Sequence, residues 1–380
     1  VTLDIAVIGA GPVGATVAAL CAQASLDIAV FEARNAPARD PRILALSHAS
    51  RCILEDAGAW PSSDATAIAE IHVSQKGAPG RTLIGAAEHG IPALGYTVAY
   101  ARLQEALEAR LDALGVSVRY AHACNEIHLD ENIARIGFES GEPVEARLLV
   151  LADGGANATR IPGIAFAEKD YRQSAVVAAL RTDRAHGARA YERFTPMGPV
   201  ALLPVDDRYA LVWTARPREA ARLVALDDRV FLEELQEHFG DRAGRFVSIE
   251  ARKSFPLALR VVNAPIALRT AIVGNAAQAL HPIAGQGLNL GLRDAAVLSD
   301  AARAVPREEL GSRVMLNGFR AARRRDRSAG VAFTDFLVSA FAEGSLVPPW
   351  GRALGLLALD VLPPARRIFA RRMIHGAPVA

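Results

Sequence analysis

The chain has 380 residues, too many for one ordinary domain at about 150 residues each. Hydrophobic residues make up 51% and charged residues 22%, which excludes disorder and fits a large buried core. Lys and Arg number 43 against 41 Asp and Glu, and a net charge of +2 gives no field that calls for nucleic acid.

Residues 3–8 form a nearly continuous apolar run, as in a strand buried on both faces. The turn Gly9-Ala10-Gly11-Pro12-Val13-Gly14 follows, then an Ala- and Val-rich helix over 15–24 and a second strand over 28–31 that ends at Glu32. That order is a parallel βαβ unit. Residues 47–57 and 102–114 predict helices and 116–120 a strand. Residues 124–129 and 133–138 predict a hairpin turning at Asp130-Glu131-Asn132, and 148–152 another buried strand. From 171 to 262 the pattern is strand-rich (175–181, 200–203, 210–214, 246–253), interrupted by one amphipathic helix at about 227–239. A buried strand returns at 271–273, before a glycine-rich turn and a long helix from about 287 to 304. The last fifty residues are mostly helical.

Cys21, Cys52 and Cys124 are odd in number and far apart, so neither a disulfide framework nor a CxxC site is expected, and a reducing compartment is. The nine His residues show no metal-ligand spacing, so no metal is expected. The chain opens on Val-Thr-Leu-Asp without the basic and apolar regions of a signal peptide, and no run of about 18 uncharged apolar residues exists. A cytoplasmic protein is expected.

The first motif carries a cofactor signal. Gly9 permits a tight turn, Gly11 lets backbone approach a pyrophosphate, and Gly14 lets the helix pack on the strand. The helix N-terminus faces the phosphates, and Glu32 stands about 20 residues on, where an acidic side chain takes ribose hydroxyls. A carboxylate there disfavours a 2′-phosphate, leaving FAD or NAD. Two further motifs bear on the choice. Residues 149–154 run as a strand into Asp153-Gly154, with Asn157 and Arg160 behind. Residues 274–294 read Gly274-Asn275-Ala276-Ala277-Gln278, then Leu280-His281-Pro282-Ile283-Ala284-Gly285-Gln286-Gly287-Leu288-Asn289.

With these three motifs in this order, the chain resembles the FAD-dependent aromatic hydroxylases typified by p-hydroxybenzoate hydroxylase, over essentially its whole length. The third motif, Arg42-Ile43-Leu44-Ala45-Leu46-Ser47, Leu94-Gly95-Tyr96, Val212-Trp213-Thr214 and Pro363-Pro364 look like the ubiquinone-biosynthesis branch, on the side of the 2-octaprenyl-6-methoxyphenol hydroxylases. Asn275 replaces the family's Asp, and Ala99-Tyr100 its Glu-Asn.

The resemblance implies an α/β protein with a discontinuous Rossmann-like FAD-binding domain (1–70, 96–170 and 264–330). A mixed β-sheet substrate domain (71–95 and 171–263) and a C-terminal helical segment (331–380) complete it. It implies FAD held by Gly9, Gly11, Pro12, Val13, Gly14, Glu32, Ala33 and Arg34; by Arg42 at the phosphates or adenosine side and Arg102 near the phosphates or ribityl chain; by Asp153 and Gly154; and by Asn275 and Gln278. Pro282, Gly285, Gln286, Gly287, Leu288 and Asn289 would lie along the flavin ring, with the helix N-terminus facing its pyrimidine edge. NAD(P)H would act as transient reductant and O2 as co-substrate, with hydroxylation of a polyprenylated phenol through a flavin C4a-hydroperoxide. His281 and Pro282 are the candidate catalytic residues. Phe194, Met197, Leu203, Trp213 and Phe255 are candidates for the substrate pocket or for ordinary core.

Other readings stay open: the same chemistry on a small soluble aromatic or secondary metabolite, a flavin-dependent reductase, or a non-catalytic flavoprotein subunit of a biosynthetic complex. A halogenase would be expected to carry Trp-x-Trp-x-Ile-Pro, which is absent. Residues 346–362 are apolar and flanked by Arg366, Arg367, Arg371 and Arg372, which suits either peripheral contact with an anionic inner membrane or contact with a partner complex. Asp360, Arg352 and the prolines argue against a spanning helix.

Overall fold

The structure, a computed structural model, describes residues 2–38, 40–77, 81–195, 197–341 and 348–376. Its first sheet is built on the strand Thr2–Ile8, flanked in parallel by Ile28–Phe31 and Val144–Leu151. Ser117–Arg119 and Thr270–Ile272 extend the two sides, also in parallel. Alternate residues of the first strand enter different cores. Ile5 and Val7 pack under the helices Pro12–Ala22, Tyr100–Ala113 and Gln286–Arg303, while Ala6 and Ile8 pack on the side of the hairpin Cys124–Leu129/Ala134–Phe138. Both faces are covered, which is why the strand reads as unbroken apolar sequence.

The second sheet has nine strands around Phe166–Thr182, a 17-residue strand that the expected boundary at 170/171 would cut. A bulge between Asp170 and Gln173, with Arg172 at φ 53°, bends it. One face is covered by two helices, Pro217–Ala225 and Asp228–Phe239, over Trp213, Phe231 and Phe239. Only the second helix is anticipated in the sequence. The first had a readable signal, Pro217 in its opening turn with Glu219 behind it. The expected strand 246–253 is two, Phe246–Ile249 and Lys253–Val262. Between them Arg252 turns inward over the Phe231 ring and donates to the Leu226 carbonyl. Glu70–Gln75 and Arg81–Gly85 form the far edge of this sheet. A third, small sheet of Ile43–Ser47, Gly95–Ala99 and Ala65–Ile68 has no counterpart in the sequence reading.

The segment after Thr270–Ile272 joins the two large sheets. It leaves the first at Gly274, pairs Gln278 and Ala279 with Val261 and Arg260 of the second, then turns through Pro282–Gly285 into the helix Gln286–Arg303. The C-terminal region consists of the helices Arg313–Phe341, Pro349–Val361 and Pro363–His375, the first of which runs through the expected boundary at 330/331. Leu346, the start of the expected apolar stretch, lies outside the described residues. No helix among the described residues is long and apolar enough to cross a membrane.

Candidate active site

One cavity of about 1180 Å³ runs from the first glycine turn to the uncovered face of the second sheet. At its nucleotide end, Gly9 sits at φ +105°, and a Cβ there would lie 2.6 Å from the Ala152 carbonyl oxygen. A Cβ on Gly14 would lie 2.1 Å from the Gly9 carbonyl oxygen, so this glycine serves the strand–helix contact and does not line the cavity. Gly11 differs: a Cβ there would meet nothing nearer than the Tyr100 hydroxyl at 3.9 Å, because its open side faces the cavity. Pro12 and Val13 line the same wall, at the start of a helix with no side-chain cap. That leaves its first N–H groups for a ligand.

Glu32 closes the nucleotide end. Its carboxylate accepts from the Ala10 N–H at 2.9 Å and from the Arg34 N–H at 3.0 Å, and Arg34 adds two guanidinium bonds at 2.9 Å. Burial works against the charge, but the Arg34 and Ala10 hydrogen bonds outweigh it and hold the carboxyl below its ordinary range. Ala33, Arg34 and Arg42 line this end too. Arg42 is held by Asp40 at 2.7 Å and stands 5.9 Å from the centre of the Tyr100 ring.

Arg102 is a correction. It is 58% exposed, pairs with Glu105 at 2.9 Å and Asp64 at 3.4 Å, and does not line the cavity. The cause is helix phase: Tyr100, in the first turn, faces the cavity, and two residues further is about 200° round. The same phase brings round Gln104, four residues from Tyr100. Its Nε2 donates to the Ala10 carbonyl at 2.9 Å, while its Oε1 is buried without a partner. Tyr100 went unmarked in the sequence as a cavity residue; Gln104 lies outside the lining and fastens the turn at Ala10.

The second and third motifs line the next part of the cavity, where the resemblance would put the flavin ring. Asp153 and Gly154 line the cavity, and the Asp153 carboxylate also fastens its own turn, accepting from Gly155 N–H and Asn157 N–H at 2.9 Å. Asn275, Pro282, Gly285, Gln286, Gly287 and Leu288 line it as well. Gly285 is left-handed (φ +60°), and the helix it opens has no side-chain cap. The positive end of an 18-residue helix therefore faces the cavity.

Two expected ligands, Asn289 and Gln278, and one candidate catalytic residue, His281, hydrogen-bond within the protein. Asn289 borders the cavity, but its amide is fully used: it accepts from Ser47 N–H and Ser50 Oγ and donates to the Ala45 and Gly285 carbonyls. It pins the helix N-terminus instead of reading a ring. Gln278 is fully buried outside the lining and donates to Asp294 at 2.7 Å. His281 is also outside the lining; its Nδ1 accepts from the Ile283 N–H at 3.1 Å, and burial pushes its pKa down to about 4. An imidazole outside the cavity lining, kept neutral by burial, fastens the Pro282 turn. For Asn289→Ala we expect a loss on the order of 2 kcal/mol in urea unfolding, since buried donors and acceptors lose partners, together with weaker flavin binding.

The residues fit FAD. The cavity has a glycine wall open for a diphosphate, a carboxylate for a ribose and an uncapped helix end for an electron-rich ring edge. Among the described residues no cluster of His, Cys, Asp and Glu suits a metal ion. The family model described as "FAD binding domain" matches residues 2–332. The chain belongs to this family of FAD-dependent monooxygenases. Among relatives of this flavoprotein, "Ubiquinone hydroxylase UbiL" of Rhodospirillum rubrum is 34% identical, covering 97% of this chain and 88% of that protein. The "3-demethoxyubiquinol 3-hydroxylase" of Escherichia coli is 31% identical, covering 94% of each. The p-nitrophenol 4-monooxygenase PnpA of Pseudomonas putida superposes with a TM-score of 0.78 at 18% identity over 100% of this chain and 99% of that one, which shows the shared fold.

Of the pocket candidates, Phe194, Leu203 and Phe255 line the cavity. Trp213 lies beneath the sheet, against Phe231 and His238, and Met197 is exposed and outside the lining.

Proposed function

We propose that this flavoprotein hydroxylates a polyprenylated phenol in ubiquinone biosynthesis, using NAD(P)H and O2. The observation that carries the reading is the continuity of the cavity. It begins at the dinucleotide groove and widens into a chamber walled by Val73, Ile84, Phe194 and Leu203 of the second sheet and by Phe341 and Leu356 of the C-terminal helices. A small polar metabolite needs no such apolar extension; a phenol with a prenyl tail does. Bound FAD supplies hydride acceptance and oxygen activation. The chain supplies the rest: Gly11 and Glu32 hold the nucleotide, the helix end at Gly285–Leu288 stabilises charge at the ring edge, and the apolar wall excludes water.

The test is to incubate the FAD-loaded protein with NAD(P)H, labelled O2 and a short-tailed 6-methoxy-prenylphenol. One labelled oxygen atom in the product, at a ring position fixed by mass and magnetic-resonance spectra, supports the reading. Bound FAD with neither product nor phenol-stimulated NAD(P)H oxidation would sink it in favour of a reductase or a non-catalytic subunit.

The C-terminal helices suggest where such a substrate comes from. On Pro349–Val361 the side chains of Trp350, Leu354, Leu357 and Val361 form one stripe, with Trp350 69% exposed. Their spacing of 4, 3 and 4 places them within about 60° of each other. Leu356 and Leu359, on the other side of the same helix, line the cavity. Arg367, Arg371 and Arg372 are exposed on the helix that follows. An apolar stripe with a basic neighbour suits the interface of an anionic bilayer, and a single helix then separates that bilayer from the chamber. Replacing Leu354 and Val361 by Glu is expected to cut co-sedimentation with vesicles of phosphatidylglycerol and phosphatidylethanolamine at least about tenfold. Turnover of the short-tailed phenol should be unchanged. Undiminished sedimentation of the double variant would remove this part of the proposal.

A further inference from the structure

Among the described residues, the chamber contains one carboxylate that neither the flavin site nor an ion pair uses. Glu192 lies on the strand Arg189–Phe194, directly opposite Ala201 on one neighbouring strand and Val73 on the other. Ala190, Glu192, Phe194, Ala201 and Val73 all line the cavity. Among the described residues no hydrogen bond or ion pair engages the Glu192 carboxylate, which lines the cavity. Charged groups on the same and adjacent elements are engaged elsewhere. Arg193 donates to Ser74, Arg189 pairs with Glu70, and His72 packs against the Tyr191 ring. The strand Val200–Val205 has no ionisable residue. Elsewhere on the lining, Arg208 pairs with Glu250 at the hairpin end, and Lys253 is exposed and acts on Asp40. Off the lining, Arg352 on the C-terminal helices turns to the Ala340 carbonyl.

An unpaired carboxylate in an apolar chamber is costly, and nothing in the fold needs it. Its position gives the reason. Phe194, two residues along the same face, belongs to one apolar cluster with Ile283 of the flavin-side turn. Two residues of strand span about 7 Å, roughly the width of a substituted benzene ring. A ring seated beside Phe194 and Ile283 therefore presents a hydroxyl on its far side to Glu192.

We propose that Glu192 is a catalytic residue of the chamber: its carboxylate accepts the substrate's phenolic O–H and takes that proton as the ring carbon gains oxygen. The proposal rests on the hydroxylase reading above. In that reaction one atom of O2 joins the ring, the other leaves as water, and NAD(P)H supplies the two electrons. Glu192 changes no electron count. It accepts the phenol proton while the C–O bond forms and the O–O bond breaks. It returns that proton to the same oxygen when the ring carbon loses its hydrogen to water and the ring becomes aromatic again. An ionising hydroxyl pushes electron density into the ring at the moment of attack, which is general-base assistance. Burial raises the Glu192 pKa to about 7. That value retains appreciable charge at neutral pH with the highest basicity the site allows.

The experiment compares FAD-loaded wild type, Glu192→Gln and Glu192→Asp on the short-tailed 6-methoxy-prenylphenol and on a ring-fluorinated analogue whose hydroxyl is already ionised at neutral pH. The readouts are product formed per NAD(P)H and the pH profile of kcat/KM. In wild type, kcat/KM should rise with pH through about 7 as Glu192 loses its proton. Glu192→Gln should lose that limb and about 100-fold in product formation, with FAD still bound. On the fluorinated phenol, which needs no base, most of the loss should be recovered. Glu192→Asp should be slower yet keep the limb. Equal rates and an unchanged limb in the Gln variant, an equal loss on both phenols, or an Asp variant without a limb would each overturn the role. A wild type that forms no hydroxylated product overturns the hydroxylase reading itself, and the Glu192 role with it. Folding does not confound the Gln variant, because it removes a desolvated charge. It should melt no lower than wild type at pH 8, and a lower melting point would show that the carboxylate has a structural partner and overturn the proposal.

Discussion

Gly11→Ala is expected to leave the apoprotein as stable as wild type while weakening FAD binding about 100-fold, or about 2.7 kcal/mol. The backbone at Gly11 has φ −68° and ψ 174°, which any residue adopts, and the new methyl group would meet no protein atom within 3.9 Å. What it enters is the cavity, at the point where a diphosphate must approach the backbone. Its neighbours behave differently. Alanine at Gly14 would put a Cβ 2.1 Å from a carbonyl oxygen, and alanine at Gly9 would force a left-handed conformation against Ala152. Both should lower the melting temperature of the apoprotein. Thermal melts without FAD, paired with titration of flavin fluorescence, separate the two effects. A Gly11→Ala protein with undiminished affinity would mean that the phosphates lie elsewhere.

Arg323→Leu is expected to cost about 3–5 kcal/mol of stability. Arg323 is buried between Asp294 at 2.8 Å and Asp326 at 2.7 Å, and both carboxylates are buried as well. Desolvation alone would lower the guanidinium pKa, but the two carboxylates more than compensate and raise it. Asp326 keeps a second partner in Arg293 at 2.8 Å. Without Arg323, Asp294 loses its ion pair and keeps hydrogen bonds from Gln278 and the Gly274 N–H, with Arg327 acting on it without a direct bond among the described residues. Because those two donors belong to the flavin turn, FAD affinity should fall together with the urea midpoint. A variant that unfolds at the wild-type midpoint would show that the buried Arg323 pairs contribute nothing to stability.

The two expectations rest on different kinds of information. Gly9, Gly11 and Gly14 are readable because backbone sterics act over a few residues, and Glu32 because a strand of fixed rise ends there. The helix Gln286–Arg303 is readable from its apolar period and from Gly285 before it. Helix phase was equally available, and it separates Tyr100, which lines the cavity, from Arg102, which does not. What a polar side chain does with its hydrogen bonds was not available. Asn289 has the right chemistry for a flavin edge, but Ser47 and Ser50, about 240 residues earlier, take its oxygen. Gln278 is captured by Asp294 and His281 by the backbone of Ile283.

Glu192 shows the same limit from the other side. A Glu in an alternating strand ordinarily reads as facing solvent. Here the outward face of the second sheet turns toward the flavin domain and the C-terminal helices, so the position becomes the wall of a chamber. By itself the sequence determined the βαβ unit, the nucleotide-binding turn and the family resemblance, because these follow from local sterics, period and spacing. The tertiary structure alone decided which polar groups remain available to a ligand, because that depends on partners brought from distant parts of the chain. It also decided that the two sheets enclose one continuous cavity, because that depends on how the segment 274–285 spans both.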